Sequence, residues 1–503
     1  MLSDLVNKML SSCKLLLAAV LLLASGYSHG IVLNPDGTGQ VLLFPYYTAR
    51  EGNDTLITLV NTTDEVKAVR VRFMERMNSR EVLTFNLYLG PWDTWVAAVT
   101  SPHDGEGARL LTWDGSCMVP LFSEFTDGSG LKEIPFSADF FTGAFDDGAT
   151  GGIGRLLSGY FEVIEMGVVV DDEQNSASAA SPPIRDRDCE QLAEAWSPED
   201  SANDYWLDDP TTDLLPPAGG LRGSVSIINV RDGVLFSYDA EAIDGFSTAP
   251  MHFAPSDSEP HLNSGTARTS VVAIDGVMDE QTWRTGVEAV SAVLMQATVH
   301  NEFVIEGGLS AQSEWIITLP THRFYTDPLF AVDDVPLQPF TRGPTVQCYS
   351  FSNLDEENIE IRTREGVGFQ PGVTTGIPPP RRFFGYCGVN VIRISDSPGR
   401  PLNSPISGEP LEEIGYSRFR VPGSQSEFTS GFLEFDVSTP ESSLSSRSTL
   451  DADGTDTGTV YEGLPMIGFM VTTYTNGALF SGNLANYGGT FRNGGKRRIG
   501  TVP

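Results

Sequence analysis

The sequence predicts an all-β protein made of two β-sandwich-like domains with one or two peripheral helices. Three observations lead there: a hydrophobic period of two along most of the chain, turn residues between the apolar runs, and helical periodicity in only one or two places. Alternation is clearest where Val69, Val71 and Phe73 interleave with Arg70 and Arg72, and where Leu83, Phe85, Leu87 and Leu89 interleave with Thr84, Asn86 and Tyr88. Strands of this kind bury one face on a core and leave the other to solvent.

Met77-Asn78-Ser79-Arg80 supplies a polar turn between those runs, so residues 68–89 read as a hairpin. Upstream, residues 55–60 are apolar on both faces, as in a central strand, and residues 40–47 read as another strand of the same sheet. Residues 159–170 read as a further strand. Residues 224–230 and 234–238 flank Arg231-Asp232-Gly233, while 466–475 and 478–484 flank Asn476-Gly477. Asn-Gly tolerates the two positive φ angles of a type I′ turn, which makes it a hairpin signal. Helix is expected over 279–297, where Trp283, Val287, Val290, Leu294 and Ala297 recur on one face suited to a sheet. A shorter helix is expected over 186–196, carrying Cys189.

Lys8 and Lys14 bracket the approach to an apolar run from Leu15 to Leu23, and Ala24-Ser25-Gly26-Tyr27-Ser28-His29-Gly30 follows. That is the order of a cleavable signal peptide, so residues 1–30 are expected to be removed after Gly26 or Gly30. The mature chain would then be secreted, periplasmic or on the outer cell surface. The apolar run is about half as long as a bilayer-crossing helix, and Tyr27 stands where a bacterial lipoprotein would need cysteine. No later stretch reaches spanning length, so no transmembrane anchor is expected after cleavage.

The remaining chain divides into an N-terminal sandwich, residues 31–250, and a β-rich C-terminal domain, residues 251–503. Pro250, Pro255 and Pro260 punctuate the polar stretch at the division. Residues 171–213 carry thirteen acids against Arg185 and Arg187 only, and read as an acidic insertion over the surface. The formal net charge of −34, with five lysines in the whole chain, argues against nucleic-acid partners, whose binding rests on neutralising phosphates. It reads mainly as a solubilising surface.

Past the signal segment the cysteines are Cys117, Cys189, Cys348 and Cys387, spaced too widely for a zinc motif. In an exported chain an even number reads as disulfides. Three pairings exist, and the one that keeps each bridge within one half joins Cys117 to Cys189 and Cys348 to Cys387.

Motifs for chemistry are few. The glycines of residues 148–154 lack the strand before and helix after that a dinucleotide-binding turn needs. Asp451, Asp453 and Asp456 cluster around Gly454, and Glu462 stands twelfth from Asp451, where a calcium loop has its closing glutamate. Calcium is the ion such a loop would take, although its glycine falls at the fourth position and not the sixth. No other cofactor is implied. Past the signal segment the histidines His103, His252, His261, His300 and His322 form no helical metal pair, and there is no Gly-x-Ser-x-Gly turn. His322 reads as a surface histidine at a strand end. No catalytic residue can be nominated, and no pair of acids can be picked for glycoside hydrolysis.

Residues 42–49 (Leu-Leu-Phe-Pro-Tyr-Tyr-Thr-Ala) with the Asn-Thr-rich strand pair after them, residues 313–321 (Ser-Glu-Trp-Ile-Ile-Thr-Leu-Pro-Thr) and residues 484–489 (Leu-Ala-Asn-Tyr-Gly-Gly) resemble a group of exported β-rich proteins of Gram-negative bacteria with no established function. The resemblance implies an envelope or extracellular setting and no catalytic residue. Two functional classes stand open. One is a non-enzymatic surface protein acting in adhesion, assembly or ligand contact with cell-surface or extracellular components. The other is a secreted hydrolase of polysaccharide using paired carboxylates.

Overall fold

The period-two segments form antiparallel sheets stacked face to face, so the protein is all-β. The computed structural model describes residues 30–102, 107–122, 129–149, 151–170, 189–197, 205–272, 278–331, 337–340, 359–366, 368–369, 385–395, 404, 406–408, 416–420, 429–438, 442–446, 458–478 and 484–501. In the N-terminal half, an eight-stranded sheet runs Val32–Leu33, Glu241–Asp244, Val41–Thr48, Ser158–Val169, Val66–Glu75, Glu81–Leu89, Cys117–Val119, with Leu214–Leu215 added to Ser158–Val169. A six-stranded sheet runs Val234–Asp239, Leu221–Asn229, Asn53–Asn61, Thr94–Thr100, Arg109–Thr112, Lys132–Pro135. The two enclose a core of Phe44, Ile57, Leu59, Val71, Phe73, Phe85, Trp95 and Phe161.

The hairpin expected over 68–89 is present, with Ser79 in the left-handed conformation at φ 59°. Two neighbours differ from expectation. The strand Val41–Thr48 lies in the eight-stranded sheet, across the core from Asn53–Asn61. Asn53–Asn61 itself is central in its sheet but buried on one face only, leaving Leu56 41% exposed. Conversely, Arg70 and Arg72 are fully buried, because residues 251–262 cross the outer face of their strand. Periodicity locates a second face; it does not say what covers it.

At Gly159 a close approach requires glycine. A Cβ there would meet the Met74 carbonyl oxygen at 1.9 Å, and the ladder to Val41–Thr48 shifts register beside it.

In the C-terminal half, Ala311–Thr318 is the centre of a five-stranded sheet, flanked by Val389–Ser395 and Ile467–Ala478. A second five-stranded sheet is built on Thr298–Val304 and Ser430–Asp436. The hairpin expected to turn at Asn476-Gly477 is longer. Thr475 pairs with Asn486 and Ala478 with Leu484, so the dipeptide sits at a register shift inside the strand. Of the helix expected over 279–297 only Gly286–Leu294 forms, because Met278–Thr282 pairs as a strand and Met295–Gln296 extends again; within 186–196, Cys189–Glu194 is helical as expected. Thr285 caps the longer helix by accepting from the Glu288 N–H at 3.3 Å, and Glu288 accepts from the Arg284 N–H in return. Every residue of this helix is buried, so it is a core element rather than a peripheral one.

Core side chains come from both sides of residue 250. Val41, Leu43, Ile164 and Ile243 pack with the helix and with Trp315 and Met470. Ile316, Val391, Phe469 and Val471 join the core of the N-terminal sandwich.

Candidate functional site

Asp451, Asp453 and Asp456 lie outside the described residues, as does Cys348. Cys117 and Cys189 form the expected disulfide, and Cys387 is also disulfide-bonded. Among the described residues no three histidine, cysteine or carboxylate side chains converge to hold a metal ion, and no helix is long and apolar enough to cross a membrane.

A buried polar cluster lies where the two halves meet. Glu75 closes the turn after its strand by accepting from the backbone N–H groups of Met77 at 2.7 Å, Asn78 at 2.8 Å and Arg80 at 3.1 Å. Arg155 donates to Glu75 through Nε at 3.0 Å and forks onto both oxygens of Asp147 at 2.8 and 2.7 Å, with its guanidinium over the Phe141 ring. Those donors hold the Asp147 carboxyl below the usual range against its burial. The same turn carries the C-terminal half, since Gly388 N–H donates to Met77 O and Val389 N–H to Arg76 O. Arg323 reaches across to Glu162 at 3.4 Å between the rings of Phe324 and Phe330. Arg72 pairs with Glu81 and donates to Pro260 O. Burial raises the Glu162 carboxyl while Arg323 and Arg72 oppose the shift. Deeper in the sheet Lys67, with no exposed surface, meets Glu165 at 2.8 Å. The cluster fastens strands and turns to each other, and the ionic groups face ionic partners.

The described parts of the acidic stretch 171–213 dock on the outer face of the eight-stranded sheet. Trp206 stacks on Tyr88 at 5.5 Å, and the Trp196 indole N–H donates to the Tyr88 hydroxyl at 3.0 Å. His252 completes the box at 2.9 Å from that hydroxyl. Burial lowers the histidine to about 3. His322 is also buried, not at the surface. It stands between Phe340 and Tyr386, and burial lowers its pKa to about 3. Neither site carries a local signal in the sequence, because the covering rings come from segments well away in the chain.

A groove of about 250 Å³ opens at the seam between the halves, lined by Pro45, Tyr238, Asp239, Glu241, Phe469 and Arg492 among others. Glu241 pairs with Arg492, and burial raises its carboxyl while Arg492 opposes. The volume is below the usual range of about 300–1,000 Å³ for ligand pockets.

The outer face of the six-stranded sheet is different. Leu56 and Val96, 41% and 46% exposed, stand with Ala98 and Leu111 among Thr58, Thr94, Ser224 and Ser226. Register places Ser226, Leu56, Ala98 and Leu111 in one row. At one end of this face stand Trp92 and Trp113, 66% and 65% exposed. They stand in neighbouring turns, Trp92 just before the strand Thr94–Thr100 and Trp113 just after Arg109–Thr112, with the Ser116 hydroxyl bonded to both Asp93 and Asp114. Trp95, between Thr94 and Val96, is buried in the core.

No protein-family model matches the chain, and neither a curated protein nor a solved structure matches it. The architecture defines its class, an all-β protein of stacked antiparallel sheets.

Proposed function

We propose that the protein is exported to the cell envelope or beyond and acts there without catalysis, by contact in adhesion, assembly or ligand capture. The observation that carries this reading is the outer face of the six-stranded sheet. A sheet face in contact with solvent ordinarily alternates to polar residues, yet this one presents Leu56, Val96, Ala98 and Leu111 with two indoles at its end. Apolar patches rimmed by polar residues mark interaction surfaces. Fractionation of cells expressing the full chain tests export, and retention of the purified protein on isolated envelopes tests contact. Leu56→Glu with Val96→Glu should abolish retention while the fold persists; undiminished retention would refute the reading.

The seam groove favours one second reading, hydrolysis of polysaccharide. Asp239 and Glu241 lie there beside Tyr238 and Phe469, and two carboxyls on one groove, with Glu241 raised by burial, supply the pair of acids that glycoside hydrolysis uses. Release of reducing ends from polysaccharide, lost in Glu241→Gln, would establish it. No release by the wild type would dismiss it.

A further inference from the structure

Trp92 occupies a position that local sequence rules reserve for glycine. Gly90-Pro91-Trp92-Asp93 is a tight turn closed by the Asp93 N–H donating to Gly90 O at 3.2 Å, and Trp92 has φ 56°. Proline suits the second position of such a turn; the third needs positive φ and is normally glycine or asparagine. A bulky residue held in the left-handed region is strained and persists only where the surrounding structure imposes it. Burial does not explain the choice, since the indole is two-thirds exposed.

The backbone around both indoles is fixed. Each tryptophan precedes an aspartate whose carboxylate is bonded to backbone. Asp93 accepts from the N–H groups of Gly90 and Thr94, and Asp114 from those of Val96 and Ser116. The Ser116 hydroxyl lies 3.1 Å from Asp93 and 2.7 Å from Asp114, linking the two turns. Cys117, the next residue, is pinned by its disulfide to Cys189. The Thr112 hydroxyl donates to Val96 O and the Val96 N–H donates to Asp114, which sets Trp113 beside the start of Thr94–Thr100, the strand that the Trp92 turn leads into.

We propose that Trp92 and Trp113 form a stacking platform for a neutral polysaccharide, a ligand class for the contact surface and resting on that reading. Rigid exposed indoles offer flat apolar faces at low entropic cost, matching the C–H faces of sugar rings. The hydroxyls of Thr58, Thr94, Ser224 and Ser226 on the same sheet face suit a ligand rich in hydroxyls. A net charge of −34 repels anionic polymers and anionic bilayers. Asp93 and Asp114 are engaged with their own turns, so the carboxylates nearest the indoles serve the platform and not a cationic segment.

The test is affinity electrophoresis of the full chain through gels containing dextran, galactomannan or hydroxyethylcellulose, with anionic alginate as the contrast. Retardation is expected from at least one neutral polymer and not from alginate. Trp92→Gly, which keeps the turn, and Trp113→Ala should each weaken it about tenfold or more at unchanged melting temperature, a factor of ten being 1.4 kcal/mol. Retardation that survives both substitutions, or none by any neutral polymer, overturns the proposal. If the tryptophan variants still bind envelopes and Leu56→Glu with Val96→Glu does not, only the polysaccharide is refuted and the contact reading stands. If no outer-face variant alters envelope binding, the contact reading itself has failed.

Discussion

Replacing Glu75 by glutamine removes a charge from the place where the two halves of the protein are fastened. The side chain is fully buried and accepts from three backbone N–H groups and from Arg155. Glutamine has the same shape but offers one oxygen, so its amide NH₂ must face the donors that one carboxylate oxygen had served. That is Met77 N–H with Arg155 Nε on one side, or Asn78 and Arg80 N–H with Arg155 Nη2 on the other. Each buried donor left without an acceptor costs about 1–3 kcal/mol, and loss of one partner from a buried ion pair typically costs about 3–5 kcal/mol. Because Arg155 keeps both bonds to Asp147, the lower part of that range, about 3 kcal/mol, is expected. The turn also receives Gly388 and Val389 from the C-terminal half, so the loss should appear in both halves. Urea unfolding of wild type and Glu75→Gln, followed by tryptophan fluorescence, measures it. A loss below about 1 kcal/mol would show that the turn does not depend on this carboxylate and would refute the reasoning.

Cys117→Ser with Cys189→Ser opens a loop of 72 residues and should cost roughly 4 kcal/mol in the chain-entropy model; an unchanged urea midpoint would contradict that account. The His322 pKa falls from 6.5 to about 3 in the fold through burial. The unfolded chain therefore takes the proton first, and the contribution of this group is complete above pH 6.5 and lost progressively toward pH 3. The slope is up to about 1.4 kcal/mol per pH unit. His322→Phe removes that titration, so the stability of the wild type relative to the variant should decline as pH drops from 6.5 to 5, and parallel curves would count against it. Gly159→Ala forces a Cβ to 1.9 Å from the Met74 carbonyl oxygen and should prevent recovery of folded protein. Trp92→Gly should instead change stability by no more than about 1 kcal/mol, because relief of the positive φ offsets glycine's entropy and the loss of the buried third of the indole; circular dichroism melts compare the two.

The β class, the hairpin over 68–89 and the Cys117–Cys189 bridge were legible in the residues alone, because alternation, turn chemistry and cysteine parity are local or compositional. The limits of the helix were not. A helical period continues through Trp283 and Ala297, but cross-strand pairing of Met278–Thr282 and Met295–Gln296 outcompetes helix at both ends. The same holds for Asn476-Gly477, where pairing of Thr475 with Asn486 overrides the turn signal.

The candidate site divides in the same way. Trp92 in a Gly-Pro-Trp-Asp turn could have been noticed from sequence, since tryptophan breaks the rule for that position. Its exposure could not, because Trp95 three residues on is buried. Arg70 and Arg72 read as solvent-facing from their period and are buried, while Leu56 reads as core and is exposed. By itself, the sequence determined which residues share a strand face. Only the tertiary structure decided which faces are covered, because the covering segments arrive from distant parts of the chain and carry no local signal where they land.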